Sequence, residues 1–162
     1  MPQIKSIFFQ AGAFHLAAGR LAQNGVPHIP LLIAQVVNSS LSSELYLKCV
    51  ILIETGKVPH EHDLELLFDE LKNETKEIIE REWDAETAQR SAVLDEIDRR
   101  AGSPVTPRKL KDALNKEGKA FVNWRYAHEP GELCNFSLGN FPGIVRKHIL
   151  VIRPELREDN AP

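Results

Sequence analysis

With 162 residues, 43% hydrophobic and 27% charged, the chain is long enough for one domain with its own apolar core and has an ordinary globular composition. A formal net charge of −3 makes no electrostatic case for a dedicated nucleic-acid binder, and Cys49 and Cys134 alone supply neither a disulfide framework nor a Cys-x-x-Cys metal pattern. No uninterrupted apolar run reaches transmembrane length and MPQIKSIFFQAGAF lacks the parts of a signal peptide, so a cytoplasmic protein with no membrane association is expected.

Gln10 to Gln23 carries Phe14, Leu16, Ala17, Ala18 and Leu21, which predicts a first helix stopped by Asn24-Gly25. Val26 to Pro30 is a short link punctuated by two prolines. A long helix is expected just after Pro30, running to about Glu54 and ended by Thr55-Gly56. Ile33, Val37, Leu41, Leu45, Cys49 and Leu52 recur on it at steps of three and four, the spacing of one buried stripe. Ser40, Glu44 and Lys48 rise beside that stripe as a second, polar line. Glu44 precedes Lys48 by four residues, an ion-pair orientation that contributes about 0.3–0.5 kcal/mol on an exposed face. Such a line is either a solvated edge or the floor of a site.

Lys57 to His62 reads as a loop. The next helix sets Leu64, Leu67, Phe68 and Leu71 on one face, with Asp63 and Glu65 at its positive end. Helical character continues, with a break near Asn73, through Ile78, Ile79 and Trp83. Another helix is expected over about Glu86 to Ala101, with Val93, Leu94 and Ile97 as its apolar line and Gly102 as terminator. Thr106-Pro107 predicts an N-cap and first turn for the following helix, which presents Leu110, Leu114, Gly118, Phe121 and Arg125 and closes at Pro130-Gly131. After a loop containing Cys134 and Phe136, a last helix starts at Pro142 with Ile144, Val145, His148, Ile149 and Ile152 and ends at Pro154. The polar tail beyond it is expected to fray. Only Val50 to Ile53 resembles a strand, and its flanks keep the helical period. The expected fold is all-α, an up-and-down bundle of four to five main helices in a single domain over 1–162, with its core at about 11–152.

Charge is unevenly placed. Glu61 to Asp98 holds 14 acidic residues against 4 basic ones, and Arg99 to Arg125 holds 8 basic against 2 acidic. This places opposite charge on different helices, to be matched within one chain or between two.

Two stretches concentrate chemistry. His60-Glu61-His62-Asp63 gathers ligand-type groups before a helix, but alternate residues in a turn point apart, so capping is expected and no metal. In Phe121 to Glu129, FVNWRYAHE, Arg125 and His128 are three apart on one face with Trp124 beside them. An Arg neutralises developing negative charge and a His moves protons, the pairing a phosphodiester requires. The same Arg125 can instead pair with Glu44 across a helix interface, with Trp124 and Tyr126 as packing residues. No Gly-rich phosphate loop or Gly-x-Ser-x-Gly elbow is present, and no cofactor is expected.

SSELYLKC at Ser42 to Cys49, HDLELLF at His62 to Phe68 and AFVNWRYAHE at Ala120 to Glu129, in this order and spacing, resemble the HEPN family, named for higher eukaryotes and prokaryotes nucleotide-binding. The resemblance spans about Ala11 to Ile152. It implies a helical bundle, a homodimer, and a nucleotide, RNA or protein partner, with a separately encoded nucleotidyltransferase or antitoxin as candidate. Ribonuclease members of the family carry an Arg followed, after four to six residues, by a His. Here Arg125 and His128 enclose two residues, Arg20 and His28 seven, and Arg146 and His148 one. The resemblance therefore implies a non-catalytic branch linked to toxin–antitoxin or defence systems. Its rivals are a metal-independent RNase using Arg125 and His128, and a purely structural interaction protein. The candidate site comprises Glu44, Lys48, His62, Asp63, Trp124, Arg125, Tyr126, His128 and Glu129.

Overall fold

The computed structural model describes residues 2–22, 29–117 and 138–160, and over these the chain is all-α. The described helices are α1 (Pro2–Ala22), α2 (Ile29–Thr55), α3 (Leu64–Asp69), α4 (Asn73–Gln89), α5 (Ser91–Ala101), α6 (Leu110–Glu117) and α7 (Phe141–Ile152), followed by a 3₁₀ segment over Pro154–Asn160.

The 27-residue α2 is the axis of the core. α1 runs antiparallel along it: Ser42 Oγ donates to the Ala11 carbonyl at 2.9 Å, and further up α2 Cys49 Sγ meets the Ile4 carbonyl at 3.9 Å. Small residues at Ala11, Gly12 and Ser42 permit this close approach, and Phe8 packs its ring against Tyr46 at 5.7 Å between centroids. By length and mean composition Leu31–Thr55 is long and apolar enough to cross a membrane, although Asn38, Ser39, Ser40, Ser42, Ser43, Glu44 and Lys48 interrupt it. In this fold 67% of its most apolar window is buried.

α7 covers α2 and also packs on α4, where Trp83 and Phe141 meet edge-on at 6.4 Å. α3 and α6 close another side through Leu64, Leu67, Phe68, Leu110 and Leu114. The core reaches past both expected limits, to Phe8 at one end and Leu156 at the other. Leu156 holds the 3₁₀ segment against the bundle where a frayed tail was expected.

Several local expectations are met. The chain breaks between α3 and α4 near Asn73, and Gly102 takes φ 71°, the left-handed turn that ends α5. α4 has no side-chain cap of its own. Glu54, at the end of α2, supplies one by accepting from Lys72 N at 2.9 Å and Thr75 Oγ1 at 2.6 Å.

Three expectations are corrected. Thr106-Pro107 does not open a helix. The Thr106 hydroxyl and the Val105 and Thr106 amides all donate to the Asp98 carboxylate at 2.9 Å, and Trp83 Nε1–H donates to the Arg108 carbonyl at 3.0 Å. These long-range bonds hold the segment out of helix until Leu110. Secondly, Val93 and Ile97 are exposed, and no residue of α5 is buried. The helix is amphipathic but its apolar line finds no core among the described residues. The third correction concerns α2: Ile33, Val37, Leu41 and Leu45, the expected buried stripe, are only half-buried, and of the two readings left open for the polar line the solvated edge is excluded, since Ser40, Glu44 and Lys48 are buried.

The uneven charge is matched within the chain. Arg108 Nη2 contacts Asp95 and Asp98 at 2.8 Å, and Lys109 Nζ contacts Asp84 at 2.8 Å. The start of the basic stretch thus closes onto the acidic helices α4 and α5.

Candidate functional site

The site is built from the loop between α2 and α3. Glu61 turns its carboxylate back onto its own backbone, accepting from His62 N at 2.7 Å and Asp63 N at 2.8 Å. Those two N–H groups, Asp63 first, hold the Glu61 carboxyl below its usual range. Asp63 then caps α3, its Oδ1 accepting from Glu65 N at 2.9 Å and Leu66 N at 3.5 Å. With both acids spent on backbone, the turn is fixed and the His62 ring is delivered to α2.

There His62 Nδ1 lies 2.9 Å from Glu44 Oε1. The same oxygen receives Lys48 Nζ at 2.9 Å from the next helical turn. The Glu44 and Lys48 side chains are 7% and 9% exposed, while that of His62 is 66% exposed. Because a carboxylate can only accept, Nδ1–H is the donor, and in neutral imidazole this leaves Nε2 as an acceptor. Beside them Ser40 Oγ is buried with no hydrogen-bond partner among the described residues.

Glu44, Lys48 and His62, three of the residues that the family resemblance marks out, meet here. Asp63 is adjacent in sequence but works as a helix cap. Trp124, Arg125, Tyr126, His128 and Glu129 lie outside the described residues. His60-Glu61-His62-Asp63 does not come together as a metal site: no group of three potential ligands gathers among the described residues. Chemically, this corner offers a neutralised buried carboxylate and one imidazole whose orientation it fixes.

Sequence reasoning passed over a second polar set, His15, Tyr46 and Arg146, which face a common groove. Tyr46 stands inside the SSELYLKC stretch but looks like a core residue by its neighbours. His15 and Arg146 lie 131 positions apart (146 minus 15), and no motif links them.

Comparison with protein-family models, curated proteins and solved structures finds no match to this chain.

Proposed function

We propose that the chain is an HEPN-like, non-catalytic helical domain that dimerises and binds a nucleotide or RNA at the Glu44–Lys48–His62 corner. The observation that carries this reading is the sharing of one Glu44 oxygen between Lys48 and His62, both at 2.9 Å. A buried ion pair is a poor source of stability, because desolvating two charges offsets most of their attraction. Its place beside an exposed, carboxylate-oriented imidazole suits a recognition edge for phosphate or base groups. The family resemblance of the three stretches points the same way, and a toxin–antitoxin or defence setting with a separately encoded partner accords with it.

A second reading follows from the same contact. A carboxylate that orients an imidazole is also the arrangement of a general base, so a metal-independent RNase would use His62 in addition to Arg125 and His128.

A thermal-shift and anisotropy screen with nucleotides and short labelled RNAs, run beside light scattering, tests both. Binding by a dimer that is lost in His62→Ala supports the proposal. Cleavage of RNA by wild type, lost in His62→Ala, moves the assignment to the enzyme. Ligand response unchanged in His62→Ala removes this corner from the function.

A further inference from the structure

Away from that corner, α1, α2 and α7 enclose a groove of about 550 Å³. One flank is apolar, formed by Phe9 and Leu16, with Leu16 exposed at 56%. Gly12 leaves the α1 side without a side chain. The polar groups come from three helices: His15, Tyr46 and Arg146.

Two of them are unsatisfied. Tyr46 is 0% exposed, and its hydroxyl, beside the donor-only Arg146 guanidinium, has no acceptor for its O–H among the described residues, while the buried Nδ1 of His15 has no partner among them. Buried polar atoms are nearly always paired, so two unsatisfied groups facing one groove call for a ligand. Burial pushes the Tyr46 phenol up to about 12, although Arg146 opposes this, so the O–H remains a donor at neutral pH. Burial and, second, the Arg146 charge lower the His15 pKa, leaving that ring neutral. The Arg146 guanidinium carbon stands 5.8 Å from the centre of the Phe8 ring, and no carboxylate pairs with it among the described residues.

The groove therefore has one permanent positive charge, two neutral hydrogen-bonding groups, no acidic lining residue and an apolar flank. A cation would meet Arg146 with no compensating acid. An apolar neutral molecule would leave all three polar groups unsatisfied, and a bare inorganic anion would leave the apolar flank bare. We propose that this groove is a binding site for a small organic oxyanion, a carboxylate or phosphate monoester, with Arg146 and Tyr46 on the anionic group and Phe9 and Leu16 against its apolar body. This assignment is independent of the Glu44–Lys48–His62 corner.

The test is calorimetric titration of the full chain with phenyl phosphate, benzoate and inorganic phosphate. Saturable binding of either organic anion is expected, with inorganic phosphate weaker by about tenfold or more; the tighter of the two organic probes identifies the oxyanion. Arg146→Gln should weaken binding about tenfold, the loss of one charge-assisted contact. At Gly12 an added Cβ meets Tyr46 Oη at 3.5 Å, an ordinary contact, so Gly12→Met grows into the groove and should block it while the fold persists. Tyr46→Phe, which deletes only the hydroxyl, should weaken binding and leave the melting temperature of the free protein unchanged or raised. The proposal is overturned if neither organic anion binds, if inorganic phosphate binds as tightly, or if binding survives both Arg146→Gln and Gly12→Met. A clear fall in melting temperature for Tyr46→Phe would also overturn it, by assigning the hydroxyl a structural role.

Discussion

Glu44 and Lys48, one turn apart on α2, form an ion pair of 2.9 Å whose two side chains are more than nine-tenths buried. The same pair on an exposed helix face is worth a few tenths of a kcal/mol. Here removing one partner costs more than removing both. Lys48→Met leaves a buried carboxylate whose one remaining partner among the described residues is His62, and should cost about 3–5 kcal/mol, as should Glu44→Leu. The double variant Glu44→Leu/Lys48→Met should recover most of that loss. Urea unfolding of the four proteins gives the coupling directly, and additive losses would show that the two charges do not depend on each other.

Acid should destabilise the fold before the carboxylates titrate. Burial lowers the pKa of His15, with Arg146 adding to the effect, and burial also lowers that of His148 against a weaker opposing pull from Glu54. A histidine whose folded pKa lies below its ordinary 6.5 binds fewer protons folded than unfolded in the interval between the two values. Its contribution is therefore complete above 6.5 and is lost as pH falls below it. Tyr46 acts at the other end: its folded pKa of about 12 exceeds the ordinary 10, so stability declines as pH rises from 10 toward 12. Denaturation midpoints from pH 5 to 8 check the first claim, and His148→Gln together with a His15 variant should flatten the acid slope.

Cys49 should be inert in the folded protein. It is fully buried and its thiol is pushed up to about 12, chiefly by burial, so thiolate is scarce at neutral pH. A disulfide reagent should label Cys49 only upon unfolding. Labelling of a Cys134→Ser protein, which isolates this thiol, reads the rate of global opening. Rapid labelling under native conditions would contradict the burial of α2.

Leu156→Ala should cost about 2–5 kcal/mol, the range for emptying a buried leucine site. Leu156 is 1% exposed despite lying beyond the last α-helix. The variant should release the 3₁₀ segment to proteolysis as well as lower the melting temperature. A loss below about 1 kcal/mol would mean that the tail is only lightly held.

Much of this architecture was legible because helices announce themselves locally. Periodicity placed α2 and α7, and Asp63 and Gly102 marked their helix ends as cap chemistry requires. Boundaries set by distant groups were not legible. Thr106-Pro107 has every local feature of a helix start, yet Asp98 claims the Thr106 amide and hydroxyl and Trp83 claims the Arg108 carbonyl from other elements. The same limit applies to burial. Val93 and Ile97 have the spacing of a core stripe, but spacing says which residues share a face and not whether another element covers it. On α2 the polar line went inside because Glu44 and Lys48 neutralise each other and His62 arrives from a loop. The approach of His62 to Glu44 was suggested only by the family resemblance of their stretches, since no spacing rule links positions 44 and 62. His15, Tyr46 and Arg146 left no sequence signal, since three helices bring them together only after packing.

The placement of α7 against both α2 and α4 also sets an order of events during synthesis. α1 and α2 can pair as soon as they emerge, because their contacts are between neighbours in sequence. The apolar faces of α2 and α4 must then wait until Phe141 to Ile152 has left the ribosome, some 50 residues after the end of α4. Until that moment Trp83 and much of α2 lack their cover. Nascent chains halted before residue 141 should bind chaperones and be readily digested, whereas those in which residue 160 has cleared the ribosome should resist, so α7 is the element whose emergence closes the core.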